Sequence, residues 1–188
     1  MRESVAAVHG LAARISPVDA LEAEHMSGTL RWLESTDDVF RRSKPASPAR
    51  HLVSYVVVLD RHNYDVLLVD HVLSGLTLPP GGHVEPDEHP AAAARRECHE
   101  ELGIEANFAD RREQPWFVTV TTTIGFDAGH TDVSLWFVCE GKRDMRMTID
   151  DVEFQGARWW SLDEVTAASG EEFDPHFRRF MRKVVAVR

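Results

Sequence analysis

Cysteine is scarce: Cys98 and Cys139 are the whole complement, too few for the disulfide framework of a small secreted domain. Cys98 falls on the apolar side of a helical pattern and Cys139 in an apolar run, so both read as reduced core thiols. No uninterrupted apolar stretch approaches the ~18 residues of a membrane span, and no signal-peptide pattern stands at the N-terminus, so the expected location is cytoplasmic. Positive charge is also in short supply, with 21 Lys and Arg against 31 Asp and Glu and a net charge of −10. That balance disfavours nucleic-acid polymers and anionic membranes as partners, and it repels any polyanion not neutralised locally by cations. Repeats and low-complexity tracts are missing too. The 188 residues therefore suit one domain with a proper core and room for an extension.

Within this plain background one segment is dense in pattern, residues 82–104, GHVEPDEHPAAAARRECHEELGI. Glu97, Glu100 and Glu101 stand at i, i+3 and i+4, and on a helix they share one face within about 100° of arc. Like charges so spaced weaken an isolated helix. Three of them together suit the binding of something positive, and carboxylate oxygens with room for water are the ligands of a hard divalent cation, Mg²⁺ or Mn²⁺. Pro90 fits the first helical turn after His89 as N-cap, and Gly103 fits the stop. Ala91, Ala94, Cys98 and Leu102 form a stripe of mostly small apolar residues opposite the glutamates, suited to close packing on a sheet. Pro79, Pro80, Gly81 and Gly82 make a tight turn whose backbone can approach a ligand.

The spacing is Gly82, five residues, Glu88, seven residues, Arg96-Glu97, an apolar Cys98, His99, Glu100-Glu101, Leu102, Gly103 and Ile104. It resembles the complete Nudix box of the MutT/Nudix hydrolases. Seven fixed identities, each at roughly one-in-fifteen usage, arise by chance about once in a million chains of this length. The resemblance implies an α/β/α sandwich with a mixed central sheet over residues 51–188. It implies a metal-dependent pyrophosphohydrolase that cleaves a nucleoside diphosphate linked to another moiety, by water attack on phosphorus. By the same resemblance Glu97, Glu100, Glu101 and the Gly82 carbonyl are ligands of Mg²⁺ or Mn²⁺. Arg96, four residues before Glu100, orients it, and Glu85 and Glu88 add outer contacts. The family varies its general base, and candidates here are a box glutamate or Asp150, Asp151 and Glu153 from a later loop; the first two also read as an ordinary solvated turn. Thr77 departs from the tryptophan that many members carry before the glycine turn.

Among the histidines, His83, directly after the turn, is best placed for a substrate phosphate. His130 and Asp132 suit either a pocket lining or a polar strand start. His83, Glu85, His89 and His99 as a zinc set are disfavoured, since no common face unites them. Trp116, Phe117, Trp136 and Trp159 read as core rather than as stacking platforms.

The remaining chain divides in two. Residues 1–50 read as a helical extension and linker, with one or two amphipathic helices over 18–40 carrying Leu21, Met26, Leu30, Leu33 and Phe40. Asp19 or Ser27 caps the start, and a basic Pro/Ser stretch over 41–48 ends the segment. The extension is read first as a cap on the domain, with a dimer contact or a substrate lid as alternatives; a homodimer is a compatible assembly. Strands are expected at 52–59, 65–71, 105–108, 116–124, 132–139 and 153–160, with turns at 60–63 and 125–130. Helices are expected at 162–168 and 173–187, the last with Phe177, Phe180, Met181 and Val184 on one face. The expected ligand is a small nucleotide-like diphosphate. Two other readings share the fold: a catalytically silent nucleotide sensor or scaffold, and an isoprenoid-diphosphate isomerase, whose cysteine and histidine motif is not evident.

Overall fold

The computed structural model describes residues 1–43, 46–109, 113–123 and 129–186. In chain order the elements are α1 (Glu3–Ala13), α2 (Ala20–Ser35), β1 (Arg50–Asp60), β2 (Asp65–His71), β3 (Thr77–Leu78), β4 (Gly81–His83), α3 (Pro90–Leu102), β5 (Phe117–Thr122), β6 (Thr131–Glu140), β7 (Phe154–Trp160), α4 (Leu162–Ala167) and α5 (Phe177–Ala186). Strand β1 is the spine. It runs parallel to β6 in the register His51↔Asp132 and antiparallel on its other edge to β4, Val53↔His83, and to β2. β5 extends the sheet beyond β6, while β3 and β7 pair with β2.

The near-continuous apolar run of β1 follows from cover on both faces. Leu52, Val56 and Val58 join one core with Ala91, Ala94, Cys98 and Leu102 of α3. Val57 and Leu59 join the other, with Phe177, Phe180, Met181 and Val184 of α5. Phe117 and Trp136 are fully buried in that second layer, and Trp136 stacks on Phe180 at 5.3 Å between ring centroids. The expected sandwich is therefore present, with α3 and α5 on opposite faces of one mixed sheet.

Several expectations need correction. Helix α1 was not anticipated; Val5, Val8, Leu11 and Ala12 bury its inner side. Asp19 caps α2, accepting the Glu22 N–H at 2.8 Å, but the helix buries Glu22, Thr29 and Leu33 while Leu21 is 40% exposed. Glu22 goes inside because Lys183 of α5 supplies its counter-charge. The expected strand at 105–108 reduces to one bridge, Phe108↔Cys139, because β5 pairs β6 up to Trp136 and leaves only the last residues of that edge. Helix α5 begins at Phe177 rather than 173: Asp174 accepts the His176 N–H at 2.8 Å, and Phe173 bridges to Thr77 instead. Of the expected linker, positions 44–45 lie outside the described residues, as do positions 124–128 of the strand end and turn.

Candidate active site

Helix α3 is capped by His89, whose ring accepts the Ala91 N–H at 3.2 Å, and stops at Gly103 in the left-handed conformation, φ 64°. Its outer face meets the glycine turn. Gly81, at φ 151°, lies so close to β1 that a Cβ there would stand 2.3 Å from the Ser54 carbonyl oxygen. A Cβ on Gly82 would stand 2.3 Å from Glu97 Oε1, so the backbone at 82 and the Glu97 carboxylate share one small space. The backbone itself requires glycine at 81, whereas at 82 glycine leaves room for the Glu97 carboxylate.

Arg96 holds the acids in place. It grips Glu88 with two nitrogens, at 3.1 and 3.0 Å, and donates from Nη1 to Glu97 at 2.7 Å and to Glu100 at 3.1 Å. Its Nη2 also donates to the His83 carbonyl at 3.1 Å, tying helix to turn. The expected Arg96–Glu100 pair is thus part of a larger clamp. Glu101 is buried and accepts the Gly81 N–H at 2.8 Å. Burial, reinforced by the Glu97 charge, pushes its carboxyl up to about 9. Glu97 is raised as well, by burial, against the opposing pull of Arg96. The charge of Glu153, just before β7, acts on both in the same upward direction. Asp150 instead turns its carboxylate to the Val152 N–H at 2.8 Å. Buried carboxylates short of positive charge, all oxygen donors, fit Mg²⁺ or Mn²⁺.

One residue along β4 the side chains change face. His83 points to the α5 side, where it meets His51, His130 and Asp132. The expected trio His83, His130 and Asp132 is thus brought together, and His51 is the member that sequence reasoning missed. The rings of His51 and His130 stack at 5.1 Å, and those of His51 and His83 approach to 4.9 Å. His51 Nε2 lies 3.0 Å, and His130 Nε2 3.4 Å, from Asp132 Oδ1. Burial, then the neighbouring Arg41 guanidinium, lowers His83 to about 3. The other histidines of the rejected zinc set stay apart, His89 as a helix cap and His99 beside Glu105. Phe117 and Trp136 are core, as read; Trp116 packs half-buried against that core and Trp159 against the one on the α3 side.

A mixed sheet between helices, with a glycine turn pressed onto a glutamate-bearing helix, defines the Nudix class of fold. The NUDIX domain family model matches residues 49–183, and the chain belongs to that family as a Nudix hydrolase. Solved structures agree at the level of fold. A NUDIX-family hydrolase from Clostridium perfringens is 18% identical with a TM-score of 0.57, covering 74% of this chain and 99% of its own. The NUDIX domain of Shewanella oneidensis NrtR, complexed with ADP ribose, is 15% identical with a TM-score of 0.56, over 72% and 86%. The E. coli dihydroneopterin triphosphate pyrophosphohydrolase is 17% identical with a TM-score of 0.51, over 71% and 92%. No curated protein sequence matches the chain closely enough to count as a relative.

Proposed function

We propose that the chain is a Mg²⁺- or Mn²⁺-dependent pyrophosphohydrolase acting on a nucleoside diphosphate linked to a second group. The observation that carries this reading is the packing of Glu97 and Glu101, both raised by burial, against the backbone of Gly81 and Gly82, with Glu100 on the same helix face. Glu97, Glu100, Glu101 and the Gly82 carbonyl would hold the cation. When bound, it supplies positive charge against the phosphate oxygens and acidifies the attacking water. Arg96 keeps three carboxylates oriented between turnovers. Glu153 is the carboxylate we assign to the water's proton: water oxygen joins phosphorus, the bridging P–O bond breaks, and the leaving phosphate departs with that electron pair. On the opposite face His83, His130 and Asp132 form a polar wall for the substrate.

Residues 51–188 are the hydrolase domain in this reading, and residues 1–50 a helical cap. Val5, Val8, Leu33 and Phe40 of that segment join the core over α3, and Ser4 Oγ donates to Asp87 at 2.9 Å beside the box. No helix of the described residues is long and apolar enough to cross a membrane, which supports a cytoplasmic enzyme. The test is a product screen with Mg²⁺ or Mn²⁺ over nucleoside triphosphates, nucleotide sugars, ADP-ribose and dinucleoside polyphosphates, run beside Glu100→Gln. Turnover of one class that collapses in the variant is the expected result. Failure to turn over any member with either cation, alongside ligand-induced melting shifts, would transfer the assignment to a nucleotide sensor.

A further inference from the structure

The wall on the α5 side has the makings of a second metal centre, chemically unlike the carboxylate cluster. His51, His83, His130 and Asp132 each offer one ligand atom, and these atoms all lie within 4.8 Å of one another. Three adjacent strands fix them: His51 and Asp132 are register partners on β1 and β6, His130 stands two residues before Asp132, and His83 pairs with Val53 on the same face.

The outward hydrogen bonds decide which nitrogens look inward. His51 Nδ1–H donates to the Pro48 carbonyl at 3.0 Å. Thr123 Oγ1 lies 3.2 Å from the His130 carbonyl and 3.1 Å from His130 Nδ1; in the arrangement that leaves its proton on the carbonyl, the ring donates from Nδ1. With an Nδ1–H on each and no second proton, both rings turn an Nε2 lone pair toward the same oxygen, Asp132 Oδ1, at 3.0 and 3.4 Å. Three acceptors facing one another repel unless something positive lies among them. His51 Nε2 and Asp132 Oδ1 are buried, and neither has a hydrogen bond among the described residues. His83 completes the set; Arg41 Nη1 stands 2.6 Å from its Nε2 and 3.1 Å from its Nδ1, so the ring's lone pair is the one that Arg41 now occupies.

We propose that His51, His83, His130 and Asp132 bind one transition-metal ion of the zinc type. Imidazole donors with one carboxylate select zinc over magnesium. Tetrahedral bonds of about 2.0–2.1 Å separate ligand atoms by about 3.3 Å, close to the 3.0 and 3.4 Å His–Asp132 contacts already present. Nδ1–H bonds to a backbone carbonyl and a hydroxyl are the outer support that metal-ligating histidines use. A bound ion displaces the Arg41 guanidinium from the His83 ring. The wall would then meet an anionic substrate with a positive centre. The inference stands apart from the hydrolase reading, because its readout is metal content and not turnover.

The experiment uses the full chain, stripped with chelator, loaded with Zn²⁺ or Co²⁺ alone, desalted, and analysed for metal by mass spectrometry. One equivalent per chain is expected in the wild type and in Glu97→Gln, with at least a tenfold drop in Asp132→Asn and His51→Gln. The wild-type cobalt form should show the intense visible bands of a four-coordinate centre, a readout that no misfolded variant can obscure. The proposal is overturned if the wild type keeps no metal, if the cobalt bands are the weak ones of six oxygen ligands, or if Glu97→Gln rather than Asp132→Asn removes the ion.

Discussion

The two faces of the sheet at β4 carry opposite kinds of polar cluster, one residue apart. On the α3 face, glutamates crowd around a single arginine, and the acids come from one contiguous stretch of chain. On the α5 face, imidazole rings gather around a single acid, and they come from β1, β4 and the residue before β6. The step from Gly82 to His83 separates them: a strand's alternation sends the missing Cβ of one toward Glu97 and the imidazole of the next away from it. A local motif thus builds one cluster and sheet register the other.

The largest effect should follow from removing a carboxylate on the α3 face. Glu97→Gln keeps the shape but loses a charge that packs against Gly82 and pairs with Arg96, and kcat should fall by roughly 10²- to 10³-fold. Steady-state kinetics check this, and a loss below tenfold would break the assignment of Glu97 as a ligand. The two glycines give a sharper contrast. At Gly81→Ala the new Cβ runs into backbone at a positive φ, so the fold should lose about 2–4 kcal/mol by denaturant melts. At Gly82→Ala it meets only the end of the Glu97 side chain, so activity should drop about 10- to 100-fold while stability moves by less than about 1 kcal/mol.

Opposite pH responses should separate the faces next. Glu101, raised from 4.5 to about 9, keeps its proton in the fold after the unfolded chain has lost it. The metal-free protein therefore loses stability as pH rises from 4.5 toward 9. Glu101→Gln should raise the stability of chelator-treated protein at pH 8 by about 2–4 kcal/mol, less than the full shift implies because the interior screens charge better than dry protein. It should also weaken any stabilisation by Mg²⁺. Melting curves at pH 5 and pH 8 test both, and an equal gain at the two pH values would refute the account.

How much was legible follows the same division. The box, its caps and its acidic face are set by contacts within a few residues, so helix α3 could be read directly, from Pro90 to the stop at Gly103. Gly81 and Gly82 were legible as a turn, though not as the short strand that pairs with β1. His130 and Asp132 were candidates because they sit two apart before an apolar run. His51 was not, since only the parallel register brings it opposite Asp132. Zinc was judged from histidines near the box, whereas the three that gather are 32 and 47 residues apart along the chain. The buried face of α2 was misread for a related reason: Glu22 is made burial-worthy by Lys183, 161 residues away. Helix α1 did carry a signal, Val5, Val8, Leu11 and Ala12 at helical spacing, interrupted by Gly10.

The smallest effect, and the one that turns on the α5 face alone, concerns His83. Burial and Arg41 lower it from 6.5 to about 3, so the fold keeps the ring neutral where the unfolded chain takes up a proton. Stability from this group is complete above pH 6.5 and is lost as pH falls from 6.5 toward 3. His176, lowered to about 4, acts in the same direction, and Asp174, raised to about 6, acts against them in the acid range. The contribution of His83 is therefore read as a difference between wild type and His83→Gln, both metal-free. Between pH 6.5 and 4 the wild type should lose about 1–2 kcal/mol more than the variant, a figure discounted for the partial exposure of the ring. Parallel pH profiles would mean that the ring protonates freely in the fold, and the contrast between an alkali-sensitive α3 face and an acid-sensitive α5 face would then rest on Glu101 alone.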